Sequence, residues 1–206
     1  MDLVLQEQQQ NTIEQAKSLL KKGCYKQAKL FCESNWGPIN TWIKEEQLRI
    51  SSTIYAHLGG DRNSDAITLR LYRSHKSSPK VLFDYWYYKL NNFGSILAQE
   101  LFDKTKTLII NKEYTEDVIA FEAILKAQFN DFDQAEELLS NAQTQSDNKI
   151  WFETIRIRNL ISQDNFETAF DLASELYESS PRISTLRAYF NAKQQVKGLK
   201  QATSFH

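Results

Sequence analysis

Two ten-residue segments of this chain repeat at a fixed spacing. Asn130–Leu139 reads NDFDQAEELL and Asp164–Ala173 reads DNFETAFDLA, so an aromatic residue is followed three positions later by alanine in both. Phe132 and Phe166 are 34 residues apart, and the two alanines have the same spacing. A period of this length is typical of small helical units that stack on one another. It constrains the fold more than any other feature of the sequence.

The composition favours long helices joined by short turns. The 206 residues are 41% hydrophobic and 25% charged and include only 6 Gly and 3 Pro, too few for the many tight turns of an all-β protein. A net charge of −1 argues against a broad surface for nucleic acid or anionic lipid. The N-terminal MDLVLQEQQQ lacks the pattern of a secretory signal, and no apolar run reaches the roughly 20 residues of a membrane helix. We therefore expect a cytoplasmic protein without nucleic-acid partners or membrane insertion.

Turn residues and helical spacing of apolar residues divide the chain into helical hairpins. The predicted hairpins cover about 6–35, 40–76, 79–108, 114–145 and 148–180, and a capping helix at 182–196 is followed by a tail at 197–206 that frays. The predicted turn positions are Tyr25, Asn63, Phe93, Phe132 and Phe166. The last two agree well with the repeat and the first agrees fairly, whereas the middle two agree only in outline. We expect one domain over 6–196. We also expect the middle hairpins to unfold locally before the others.

This pattern resembles the tetratricopeptide repeat family, in which an aromatic residue at the turn is followed by a small residue three positions later. The resemblance rests on Tyr25 with Ala28, on Phe132 with Ala135, and on the corresponding pair at 166 and 169. It implies an all-α right-handed superhelix, an alpha-alpha solenoid, of about five hairpins plus the capping helix. Members of such arrays bind other proteins.

A narrower resemblance points to certain bacterial repeat arrays. It rests on Leu71–Pro79, Tyr85–Leu90 and Phe93–Leu101, and on Trp151 lying between the two repeated segments. Those arrays resemble the region that precedes a papain-like cysteine peptidase domain of the C39 type. Such a domain would lie beyond His206, and the resemblance implies a helper region for it.

The chain lacks the residue patterns of an enzyme. His57, His75 and His206 are scattered without metal-ligand spacing, and Cys24, although it lies beside lysines, has no neighbouring histidine in sequence. The adjacent carboxylates Glu136-Glu137 point about 100° apart on a helix and are interpreted as a solvated face. We therefore predict no catalytic site, metal or cofactor.

Aromatic residues are densest between 83 and 93. The simpler interpretation is that they form the core between repeats with polar tips at the surface. The alternative is a concave groove of aromatic and cationic side chains on the first helices of the hairpins, which binds an extended peptide or an amphipathic helix. The residues predicted to line it are Lys17, Tyr55, Trp86, Lys89, Trp151 and Arg158.

The predicted function is a non-enzymatic scaffold that binds a protein or peptide partner in this groove. The alternative is a helper or regulatory region for a catalytic domain that this chain does not contain. The sequence does not predict the oligomeric state.

Overall fold

The protein is described from a computed structural model covering residues 2–109, 115–146 and 148–203. Within these residues the structure is all-helical, which confirms the predicted all-α class. The helices are α1 (Asp2–Lys21), α2 (Tyr25–Trp36), α3 (Glu45–His57), α4 (Asp61–Ser74), α5 (Pro79–Phe93), α6 (Ser95–Thr105), α7 (Thr115–Gln128), α8 (Phe132–Gln145), α9 (Lys149–Ser162), α10 (Phe166–Ser179) and α11 (Ile183–Thr203). None of these helices is long and apolar enough to cross a membrane.

The helices pack in sequential pairs. Helix α1 packs on α2, α3 on α4, α7 on α8 and α9 on α10, and α11 packs extensively on α10 and also on α9. This order is consistent with the predicted array of helical hairpins, while the right-handed superhelix stays a prediction. Two helix boundaries differ from those predicted from the sequence. Helix α3 begins at Glu45 after a 3₁₀ turn at Ile39–Thr41, and α11 continues to Thr203. Residues 204–206 of the predicted tail lie outside the described residues.

Contacts divide the chain into two compact units, Met1–Asn92 and Phe93–His206. The boundary falls inside the third predicted hairpin, and the single domain over 6–196 stays a prediction. In the first unit, Ala16, Ala28, Cys32, Trp42, Ile50 and Ile54 form a buried cluster. In the second, a buried cluster contains Ile157, Ala169, Ala173, Leu176 and Ala192. Alanine is frequent in both because small side chains let paired helices approach closely.

Four of the hairpins share one turn. Each first helix ends at a residue with positive φ: Gly23, Gly59, Asn130 or Asp164. The N–H of the following residue then donates to the carbonyl five positions earlier, which is the Schellman closure of a helix. The bonds are Cys24 to Leu19 (3.0 Å), Gly60 to Tyr55 (2.8 Å), Asp131 to Lys126 (2.9 Å) and Asn165 to Leu160 (3.0 Å). The repeat is therefore a repeat of one backbone turn, and glycine is only one way to make it.

In each of these four hairpins, the second helix begins two positions after the residue with positive φ. Its first residue is aromatic in three hairpins, and the alanine three positions later is buried in all three. In the second hairpin the first helical residue is Asp61, so the predicted turn position Asn63 is wrong. The small residue is then Ser64, whose Oγ lies 3.1 Å from Ser52 Oγ on the paired helix. The register was misplaced because Asn63 suits a helix N-cap and was placed at the start of the helix, whereas the turn closes at Gly59-Gly60 and the helix begins two residues earlier.

The third hairpin turns differently. Helix α5 continues through Phe93, which the sequence predicted to lie at the turn, and Gly94 breaks the helix at φ +87°. Phe93 is therefore not at the turn position. Ala98 is fully buried, whereas Ile96 is 67% exposed, so Ala98 takes the small-residue place.

We expect Asn130→Gly and Asp164→Gly each to raise the free energy of unfolding by about 0.5 kcal/mol, because glycine adopts a left-handed conformation without a Cβ penalty. Urea denaturation followed by circular dichroism measures this change. Asn141→Gly, at an exposed position inside α8, is the matched control and should instead lower stability by a few tenths of a kcal/mol, roughly the difference in helix propensity. Loss of stability at both turns would contradict the assigned turn conformation.

Candidate functional site

The structure distributes the six residues predicted to line a groove over two units. Lys17, Tyr55, Trp86 and Lys89 belong to the first unit, and Trp151 and Arg158 belong to the second. Trp86 is 0% exposed, so its inclusion was wrong. The physical reason is that α5 presents Trp86 on the same buried face as Leu82 and Leu90.

The other five predicted residues are partly buried, and each has a local environment of its own. Lys17 Nζ lies 3.3 Å from Glu46 Oε2, and Lys89 Nζ lies 5.7 Å from the ring centroid of Tyr85. The Tyr55 ring packs so tightly against the second turn that a Cβ atom at Gly60 would come within 2.9 Å of it. Trp151 and Arg158 share one face of α9, because seven residues are close to two helical turns. That these side chains form a binding surface stays a prediction.

A groove of about 590 Å³ lies in the second unit, between α8, α9 and α10. We call it the acidic groove. Its half-buried floor includes the apolar side chains Phe132, Leu160 and Leu172. Exposed carboxylates from the two outer helices lie along it: Asp133 and Glu136 on α8, Asp171 and Glu175 on α10.

The acidic groove uses a face of α9 that the sequence prediction did not choose. Arg156, Leu160 and Gln163 line it, at helical spacings of four and three. Trp151 and Arg158 lie roughly 150–170° around the helix from the centre of this face, by the rotation of about 100° per residue. The observed groove and the predicted surface are therefore on opposite sides of α9.

Arg156 fixes the geometry of the groove by joining α8 to α9. Its Nε donates to Glu136 Oε2 at 2.9 Å and its Nη2 donates to Glu136 Oε1 at 2.7 Å, a bidentate pair. Its Nη1 donates to Glu153 Oε1 at 2.7 Å and to Gln143 Oε1 at 3.2 Å. The Arg156 side chain is only 19% exposed. This arrangement holds α8 in a fixed position along α9.

The pKa values of this cluster agree with a stable ion pair. Burial raises the pKa of Glu136, but hydrogen bonds from Arg156 and Ser140 outweigh burial and bring that pKa below its ordinary value. The hydrogen bond to Glu136 raises the pKa of Arg156 further above its already high value, against the effect of burial. Both groups are charged at neutral pH, and the contribution of Glu136 to stability is lost as pH falls through its lowered pKa.

The remaining carboxylates of the groove are not neutralised within the described structure. Asp133, Asp171 and Glu175 make no ion pair among the described residues, and neither α8 nor α10 contains a lysine or arginine. The single guanidinium is shared between Glu136 and Glu153. The groove therefore carries an excess of negative charge beside an apolar floor.

Metal ligands are not clustered among the described residues, and the Cys32 thiol is protonated. No group of three or more His, Cys, Asp or Glu side chains among them is placed to hold a metal ion. Burial, assisted by the charge of Glu33, raises the pKa of the Cys32 thiol to about 11, so this thiol stays protonated at neutral pH. The negative charge of the groove favours binding of a cationic group.

We compared the chain with family models, with curated proteins and with solved structures. None of the three comparisons gives a match. The site is therefore interpreted from its own geometry.

Sequence reasoning interpreted Glu136-Glu137 as a solvated face and missed the pairing of Glu136 with Arg156, twenty residues away. It also missed Asp171 and Glu175. One signal was available: the absence of basic residues from both second helices, 132–145 and 166–179. Because both helices flank one groove, their lack of basic residues makes the surface of that groove anionic.

Proposed function

We propose that this protein is a non-enzymatic protein-interaction module whose acidic groove binds a basic amphipathic segment of a partner protein. The observation that carries this proposal is the combination of an apolar floor with uncompensated carboxylates on both flanking helices. An apolar side chain of the partner would cover Phe132, Leu160 and Leu172. Its lysines or arginines would pair with the carboxylates of α8 and α10.

The rigidity of the groove supports this proposal. The bidentate pair between Arg156 and Glu136 ties α8 to α9, and the Schellman turn at Asp164 ties α9 to α10. A surface that is already ordered loses little conformational entropy when a partner binds. The negative charge should also accelerate encounter with a basic partner, an effect that salt screens.

The resemblance to tetratricopeptide repeats supports the same function. The shared turns, the buried alanines after them and the sequential helix pairs are the features that such arrays use. We propose that the hairpins continue as a right-handed superhelix. A helper region for a peptidase domain would be one use of the same binding surface, and no separate observation favours it.

A binding experiment with a designed probe tests this function. The probe is a fluorescent amphipathic helix of leucine, lysine and alanine, and its matched control carries glutamate in place of every lysine. Fluorescence anisotropy should show that the basic probe binds and that its affinity falls severalfold between about 50 mM and about 300 mM salt. The reason is that salt screens the attraction between the carboxylates and the lysines of the probe. Equal binding of the acidic probe, or binding that is insensitive to salt, would rule out recognition by charge.

A further inference from the structure

We propose that, in the absence of its partner, the acidic groove of one copy accepts helix α11 of a second copy. This inference rests on the proposed function, since α11 would occupy the same groove as the partner. It predicts that the protein associates with itself head to tail and that self-association competes with partner binding.

Helix α11 has two faces of different character. The inner face includes the buried Thr185 and Ala192 and packs on α10 and α9. The outer face is formed by residues that recur every three or four positions and are all exposed. They are Ile183, Arg187, Phe190, Gln194 and Lys197.

The outer face combines apolar and basic groups. Ile183 is 48% exposed and Phe190 is 51% exposed, although both are large apolar side chains. Arg187 and Lys197 lie on either side of Phe190 along the helix. Helix α11 contains no aspartate or glutamate, so the charged residues of its sequence are all basic.

These properties complement those of the acidic groove. Phe190 would lie on the floor formed by Phe132, Leu160 and Leu172. Arg187 and Lys197 would approach the carboxylates of α8 and α10. The groove is flanked by helices that carry only acidic charges, and the occupant carries only basic ones. Such complementarity favours one orientation and suppresses others.

The occupant must come from another copy. Within one chain, the inner face of α11 is packed against α10 and α9, so its outer face is directed away from the helices that form the groove. The two surfaces are also different from each other, so the contact is heterologous. A heterologous contact produces a ring or an open chain of copies rather than a closed symmetric pair.

Charge-reversal variants of the full chain test this proposal. The groove variant is Asp171→Lys/Glu175→Lys, and the helix variant is Arg187→Glu/Lys197→Glu. Sedimentation velocity over a concentration series should show association of the unmodified protein that decreases with salt. Each variant alone should sediment as a monomer throughout that series. A mixture of the two should associate again, because each partner supplies the surface that the other lacks.

The outcomes separate this inference from the proposed function. Monomeric behaviour of the unmodified protein at all concentrations, with intact binding of the basic probe, would overturn self-association and leave the function standing. Association that persists in either variant would also overturn it, because another surface would then be responsible. Loss of probe binding with self-association retained would instead contradict the proposed function. Circular dichroism of each variant confirms that its helices are formed.

Discussion

Replacing Trp86 with alanine should lower the free energy of unfolding by about 3–5 kcal/mol, the usual cost of truncating a large buried aromatic side chain. Trp86 is 0% exposed, and its ring meets that of Phe83 edge-on at 6.3 Å between centroids. Truncation removes these contacts and leaves a cavity, which the surrounding residues of a closely packed core fill only in part. Urea denaturation followed by circular dichroism at a helical wavelength measures the loss without depending on tryptophan fluorescence.

The matched control for this experiment is Trp151→Ala. Trp151 is only partly buried, so its truncation should cost clearly less stability. Trp86→Phe, which keeps most of the buried ring area, should fall between the unmodified protein and Trp86→Ala. If Trp86→Ala kept full stability, the side chain would not be in the core, and its predicted place in a binding groove would deserve renewed testing.

The second large effect concerns binding. The variant Asp171→Lys/Glu175→Lys should weaken binding of the basic amphipathic probe by about tenfold or more, since each reversal replaces an attraction by a repulsion. Both carboxylates are exposed and make no ion pair among the described residues, so the fold does not depend on their charge. Fluorescence anisotropy at low salt gives the dissociation constant.

A variant with the same total change of charge controls for the overall field of the protein. Glu100→Lys/Asp103→Lys places the new lysines on α6, none of whose residues is among those that line the acidic groove. It should reduce affinity much less than the groove variant. Equal reductions from both variants would show that the probe responds to net charge and not to the groove.

The features that sequence alone predicted are those that short-range physics controls. Phe132 and Phe166 begin the second helices two positions after the left-handed residues Asn130 and Asp164, and the alanines at 135 and 169 are buried where the second helix packs on the helix just before it. Such features depend on neighbours within a few positions. They therefore appear directly in the spacing of the sequence.

The features that sequence did not predict depend on more distant contacts or on a choice among similar turns. Asn63 suits a helix N-cap and was placed at the second turn, whereas the positive φ of Gly59 and the hydrogen bond from the Gly60 N–H to the Tyr55 carbonyl start the helix at Asp61. Trp86 was assigned to a groove because the aromatic residues around it exceed what one buried helix face needs. The acidic groove requires residues from α8, α9 and α10 together, and no single segment contains it.

The most direct test of the central claim is a map of where the basic probe binds. Nuclear magnetic resonance of the isotopically labelled full chain, recorded during titration with the probe, reports the backbone amides whose environment changes. We expect the largest shifts at residues lining the acidic groove, such as Glu136, Leu160 and Leu172. Shifts confined to the opposite face of α9, around Trp151 and Arg158, or to the first unit would contradict the assignment of the groove as the binding surface.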